Sequence, residues 1–117
     1  MESSSAVRAL SALAHAHRLE AFRLLVKAGR SGMSAGDIAL RLGVAPSSLS
    51  FHLAQLETAG LIQGRRDQRH IFYSLRVDTT RELLEFLTED CCNGRPELCG
   101  VATASQAEDL TVVAGRD

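Results

Sequence analysis

Two short apolar stripes lie between Ser34 and Gly60, and the residues that separate them, Gly43-Val44-Ala45-Pro46, constrain the fold more than any other feature. Gly43 suits the left-handed residue that stops a helix. Pro46 suits the first turn of the next, where no N–H is required. Ahead of the break, Ser34 stands as a cap with Asp37 three residues on, and Ile38, Ala39 and Leu42 give one apolar side. Behind it, Leu49, Leu53 and Leu56 recur at i, i+4 and i+7, so a second helix buries that stripe and runs to about Ala59–Gly60. Helix, glycine-containing turn and helix is helix-turn-helix spacing.

The flanks complete the pattern. Residues 3–29 are helical, with Val7, Leu10, Leu13 and Ala14 on one stripe and Leu19, Phe22, Leu25 and Val26 on another. Two helices with a break in Ala14–His17 are expected, the first capped by Ser3, Ser4 or Ser5 and the second stopped by Gly29. After Gly60 the period changes. Leu61, Ile62 and Gln63 open a strand, Ile71 to Leu75 form a β-rich run, and Gly64 to His70 make a cation-dense hairpin tip between them. Asp78 or Thr79 can then cap a last helix through Leu83, Leu84, Phe86 and Leu87, which Asn93-Gly94 and Pro96 end. The expected architecture is mainly α (α+β): about five helices and a β-hairpin wing over residues 1–92, a thiol segment at 91–100, and a disordered tail at 101–117.

Composition narrows the class of function. Apolar residues are 45% and charged ones 23%, enough for a core, and with five aromatics and no Trp that core is built of Leu, Ala and Val. The net charge of −1 conceals an asymmetry: residues 1–76 hold ten Arg/Lys against five acids, and residues 77–117 hold three Arg against nine acids. A basic body with an acidic end can hold a polyanion on one side. No apolar run is long enough to cross a membrane and no segment reads as a signal peptide, which points to the cytoplasm.

On the helix that starts at Pro46, 100° spacing turns Ser47, Ser48, Phe51, Ala54 and Gln55 outward and leaves Ser50 and His52 on the flanks. A merely solvated face would carry Lys, Glu and Arg, yet the one charge is Glu57. Short hydroxyls let a helix sink into a major groove, Gln55 and His52 can bond base edges, and Phe51 can meet a thymine methyl. For His52, packing beside Leu49 and Leu56 is equally open. Arg65, Arg66 and Arg69 on the hairpin can bind phosphates or enter the minor groove.

Ala9-Leu10-Ser11-Ala12-Leu13-Ala14, His17-Arg18-Leu19, Ile38-Ala39, Ser47-Ser48-Leu49-Ser50-Phe51-His52-Leu53, Ala59-Gly60-Leu61-Ile62 and Arg65 through Leu75 together resemble the ArsR/SmtB family of bacterial winged-helix repressors, over about residues 5–92. The resemblance implies a homodimer joined through its first and last helices, with the Ser47–Gln55 face reading a palindromic DNA operator. The apolar stripes at 7–14 and 83–87 are longer than so small a domain can cover alone, and symmetric pairing would bury them.

All three cysteines, Cys91, Cys92 and Cys99, fall within nine residues. An odd count in a chain without an export signal argues for reduced thiols. A vicinal pair makes a strained disulfide, and no fourth Cys or adjacent His completes a structural zinc set. Soft thiolates select soft acceptors, and trivalent arsenic takes three sulfurs in a pyramid. Family members with Cys-Cys and a later Cys at the end of the final helix resemble arsenite-responsive repressors, which implies As(III), or Sb(III), as inducer. The family's other thiol site, in the first helix of the helix-turn-helix, has no counterpart in Ser34–Gly43. A redox or Zn/Cd sensor on the same scaffold is the alternative, and an interaction module without DNA binding is a further one. A thiol-dependent reductase or phosphatase is excluded, because Cys92-Asn93-Gly94-Arg95 is too short for an oxyanion loop, so no enzyme is expected.

Overall fold

The computed structural model describes residues 1–88. Residues 1–80 form one compact unit, and the described residues 81–88 belong to a second. Helix α1 spans Ser3–Leu13, α2 Ala16–Ala28, α3 Ala35–Leu42 and α4 Pro46–Thr58. The strands are β1 (Met33–Ser34), β2 (Ile62–Asp67) and β3 (His70–Leu75), and α5 covers Val77–Thr88.

The helix-turn-helix forms through local chemistry. The Ser34 hydroxyl accepts from the Asp37 N–H at 3.1 Å, satisfying one donor of the first turn of α3. Gly43 closes α3 at φ 68°, ψ 34°, in the left-handed region. Pro46 occupies the start of α4. At its other end Leu61 N–H bonds to Leu56 C=O (3.1 Å) and Gly60 N–H to Glu57 C=O (2.9 Å), with Gly60 at φ 81°, which is a Schellman stop.

Some expectations give way. The cap of α1 is Glu2, without a side-chain hydrogen bond, and not one of the serines. The expected break between the first two helices falls at Ala14–His15, where His15 Nδ1 caps α2 by accepting from the His17 N–H at 3.1 Å. α5 begins at Val77, with Asp78 inside its first turn. The inward side of α1 is Ala6, Ala9 and Ala12, while Val7 and Leu10 are 61% and 42% exposed. Small residues let the helix backbone lie close to its neighbours α2 and α4, so the larger side chains turn out. On α2, Ala21 and Leu25 are buried, and Leu19 and Val26 are not.

The core of the unit is Leu25, Ile38, Leu49, Leu53, Leu56, Leu61 and Ile62, all almost fully buried. Burying such side chains contributes on the order of 1.5–3 kcal/mol each. The sheet is antiparallel in the order β1-β3-β2, with Met33 opposite Tyr73 and Ile62 opposite Leu75. The wing is therefore a three-stranded sheet whose two long strands end in the two-residue turn Gln68-Arg69. Backbone bonding of Arg76 N–H to Leu61 C=O (2.9 Å) ties its base to the end of α4. Among the described residues, no helix is long and apolar enough to cross a membrane.

Candidate nucleic-acid interface

α4 meets the core through Leu49, Leu53 and Leu56 and presents Ser47, Ser48, Ser50, Phe51, Ala54 and Gln55 to solvent. Phe51 is 59% exposed on this uncharged surface. The face thus has the shape and chemistry of a groove reader: hydroxyls near the N-terminus, one amide that can bond two atoms of a base edge, and one apolar ring.

His52 is not on that face. It is only 8% exposed and turns toward the start of α2. There Arg18 Nε donates to the Ala12 carbonyl at 2.7 Å, and Arg18 Nη1 lies 3.3 Å from His52 Nδ1. Arginine has only donors, so His52 Nδ1 must accept, and the ring in this arrangement is neutral with its proton on Nε2. Burial, followed by the neighbouring His15, Arg18 and His17, holds the His52 pKa below its ordinary value. The physical reason for the correction is angular: His52 sits at the edge of the leucine stripe, and the guanidinium of Arg18 supplies the partner that lets it go in.

The wing places Arg65, Arg66 and Arg69 in solvent beside this helix-turn-helix. Arg65 lies opposite Phe72 in the ladder, its guanidinium 5.5 Å from the ring centre, so the side chain is steadied by the aromatic face. Arg66 is opposite Ile71, and Arg69 is in the turn itself. Among the described residues, the ion pair that forms is Arg76 with Asp78 at 3.7 Å, so no carboxylate there neutralises these three cations.

Sequence reasoning gave no role to Arg8 and Arg18, which line a groove of about 320 Å³ with Ser11, Gln55 and Thr58 along the later turns of α4. Nor did it join His15 and His17 to His52. The ring centres are 4.4 Å apart for His15–His52, 5.7 Å for His17–His52 and 5.6 Å for His15–His17. The one available signal was the spacing of His15, His17 and Arg18 at a helix break, which does not name its partner. Among the described residues no group of His, Cys, Asp or Glu is arranged to hold a metal ion. Cys91, Cys92 and Cys99 lie outside the described residues.

A helix-turn-helix domain model matches residues 13–65, from the end of α1 through the first half of the wing. The transcriptional activator HlyU of Vibrio cholerae is 32% identical over 90 residues, 77% of this chain and 81% of that protein. The HTH-type transcriptional regulator YgaV of Escherichia coli is 32% identical over 83 residues, 71% of this chain and 82% of that one. Among solved structures, reduced HlyU from Vibrio cholerae superposes with a TM-score of 0.60 at 34% identity, covering 73% of this chain and 90% of that one. A homodimeric winged helix-turn-helix DNA-binding domain from Mycobacterium bovis has a TM-score of 0.61 over 74% of this chain and 81% of that one; at 23% identity it shows the fold alone. With a recognition helix, a basic wing and relatives of this closeness, the chain belongs to the winged helix-turn-helix transcriptional regulators of the ArsR/SmtB type.

Proposed function

We propose that this regulator binds a palindromic operator as a homodimer and is released when Cys91, Cys92 and Cys99 bind As(III). The observation that carries the DNA half is the uncharged exposed face of α4 beside three wing arginines that have no carboxylate partner among the described residues. In this reading Ser47, Ser48, Ser50, Phe51 and Gln55 meet the bases, and Arg65, Arg66 and Arg69 meet phosphates. His52 acts from inside, by fixing the helix. Val7 and Leu10, apolar and exposed on α1, supply part of the surface that a second copy covers.

The inducer half rests on the three thiols and their spacing. Three sulfurs without a fourth ligand suit As(III), or Sb(III), better than a tetrahedral Zn(II). Displacement by inducer makes the protein a repressor, although its relatives include an activator and a repressor. A release of 10–100-fold in operator affinity requires only about 1.4–3 kcal/mol of coupling.

The test starts from duplexes selected out of a random-sequence library by the purified, reduced full chain. Binding should weaken steeply with salt, and arsenite should displace the DNA while Zn(II) and Cd(II) do not. Cys91→Ser, Cys92→Ser and Cys99→Ser should each bind DNA normally and ignore arsenite. A single serine variant that still responds overturns the site. A redox reading of the same thiols is favoured by one observation, that a solved relative is specifically the reduced form of its protein. It requires release by oxidant that reductant reverses, whereas arsenite acts under full reduction.

A further inference from the structure

Among the described residues the three imidazoles beneath the recognition helix are not arranged to hold a metal ion, and DNA reading by α4 and the wing does not require them as a group. His52 and His15 each make a contact at Nδ1 that only the neutral ring satisfies. His52 Nδ1 faces a donor, Arg18 Nη1, at 3.3 Å. His15 Nδ1 accepts the α2 capping bond from the His17 N–H at 3.1 Å. His17 Nδ1 is buried and has no hydrogen-bond partner, so a proton placed there would be a buried donor without an acceptor. The groups acting on His52 are His15, His17 and Arg18. All are basic, and Arg8 lines the groove next to Arg18. Phe51, the ring neighbour on α4 itself at 5.9 Å, offers no acceptor.

We propose that His15, His17 and His52 form a proton-sensitive latch under α4, which holds the recognition helix in place while the rings are neutral and loosens it as they charge. The chemistry is a balance of hydrogen bonds. A proton taken up at His52 Nδ1 turns that atom into a donor facing a donor and frees Arg18 from one of its two partners. A proton at His15 Nδ1 removes the cap of α2, whose first turn carries His17 and Arg18. The charged and titratable groups that act on His52 are all basic, so a charge taken up there is repelled by its neighbours, and that repulsion is relieved when the ring moves out. α4 then comes away from the hydrogen bond that ties its centre to the α1–α2 junction.

The inference rests on the DNA-binding reading for its consequence and has a distinctive sign. Acid ordinarily strengthens DNA binding, because charged histidines are drawn to phosphate. This latch reverses that sign. In anisotropy titrations of a selected duplex with the full chain in EDTA, affinity should fall by about tenfold between about pH 8 and about pH 5.5. The double variant His15→Asn/His17→Gln, in which Asn keeps a cap and neither residue can charge, should flatten that profile. His52→Gln should flatten it as well, and circular dichroism at high pH verifies that both variants fold.

Backbone amide shifts of residues 49–56, followed by NMR without DNA, should move across the same pH range in the wild type and much less in the double variant. Affinity that is constant or rises on acidification overturns the proposal, as does a double variant with the wild-type profile or a response that chelation abolishes. If no duplex is bound at any pH, the DNA-binding reading fails. The amide shifts then decide the latch by themselves: immobile shifts at residues 49–56 overturn it, and variant-sensitive movement upholds it.

Discussion

Gln68 adopts φ 60° at the first position of the wing turn, the one described non-glycine residue in the left-handed region. A residue with a Cβ is held there at a cost of about 1–2 kcal/mol, part of which glycine would return as chain entropy. Gln68→Gly is expected to raise stability by about 0.5–1 kcal/mol, read as an upward shift in thermal unfolding. Gly32 is the opposite case. It has φ 72°, and a Cβ there would run into the Tyr73 carbonyl oxygen of the neighbouring strand. Gly32→Ala is expected to lower stability by about 2 kcal/mol or more in denaturant unfolding, through φ strain and displacement of β1 from β3. His52 gives the pH dependence. Its folded pKa lies below the unfolded value of about 6.5, so the unfolded chain binds the proton more readily. Stability should be complete above that value and decline as pH falls from it toward the folded pKa, a trend that His52→Gln should reduce in pH-resolved melts. The leucine period brought His52 to the edge of the buried stripe, but the identity of its partner depended on Arg18, thirty-four residues away.

The two helices of the reading head are elements whose ends are written in local chemistry. Ser34, Gly43, Pro46 and Gly60 each act on the backbone within a few residues, and for that reason the boundaries of α3 and α4 could be read in advance. Ser34→Ala should cost about 1 kcal/mol of stability by equilibrium unfolding, the typical value for removal of an N-cap. The strand β1 was not legible, because two residues have no period and become a strand only when β3 lies beside them. The wing and α4 should also separate in their effects on DNA. Alanine at Arg65, Arg66 and Arg69 is expected to weaken binding to all duplexes alike, and each arginine that pairs with a phosphate should account for about one unit of the salt slope. Gln55→Ala should instead relax selection at one base position, with a weakening of about 1–3 kcal/mol for the preferred sequence. Parallel titrations of selected and scrambled duplexes distinguish the two.

For the molecule as a whole, the net charge of −1 divides into a basic body and an acidic end, and the body carries the helix-turn-helix and wing. Val7→Glu and Leu10→Glu are expected to shift a dimer toward monomer in sedimentation velocity and to lower operator affinity in step, because each places a charge in a surface that a second copy would cover. By itself the sequence determined what short-range chemistry can specify: the helix stops, the leucine stripe of α4, the basic hairpin, and the grouping of three thiols. Only the tertiary structure decided that α1 turns its alanines inward and leaves Val7 and Leu10 out. It alone seated His52 beneath the reading face with Arg18, His15 and His17. Periodicity ranks residues by their angle around one helix, whereas the inward side is chosen by which neighbours can approach closely and which polar atoms they leave to be satisfied.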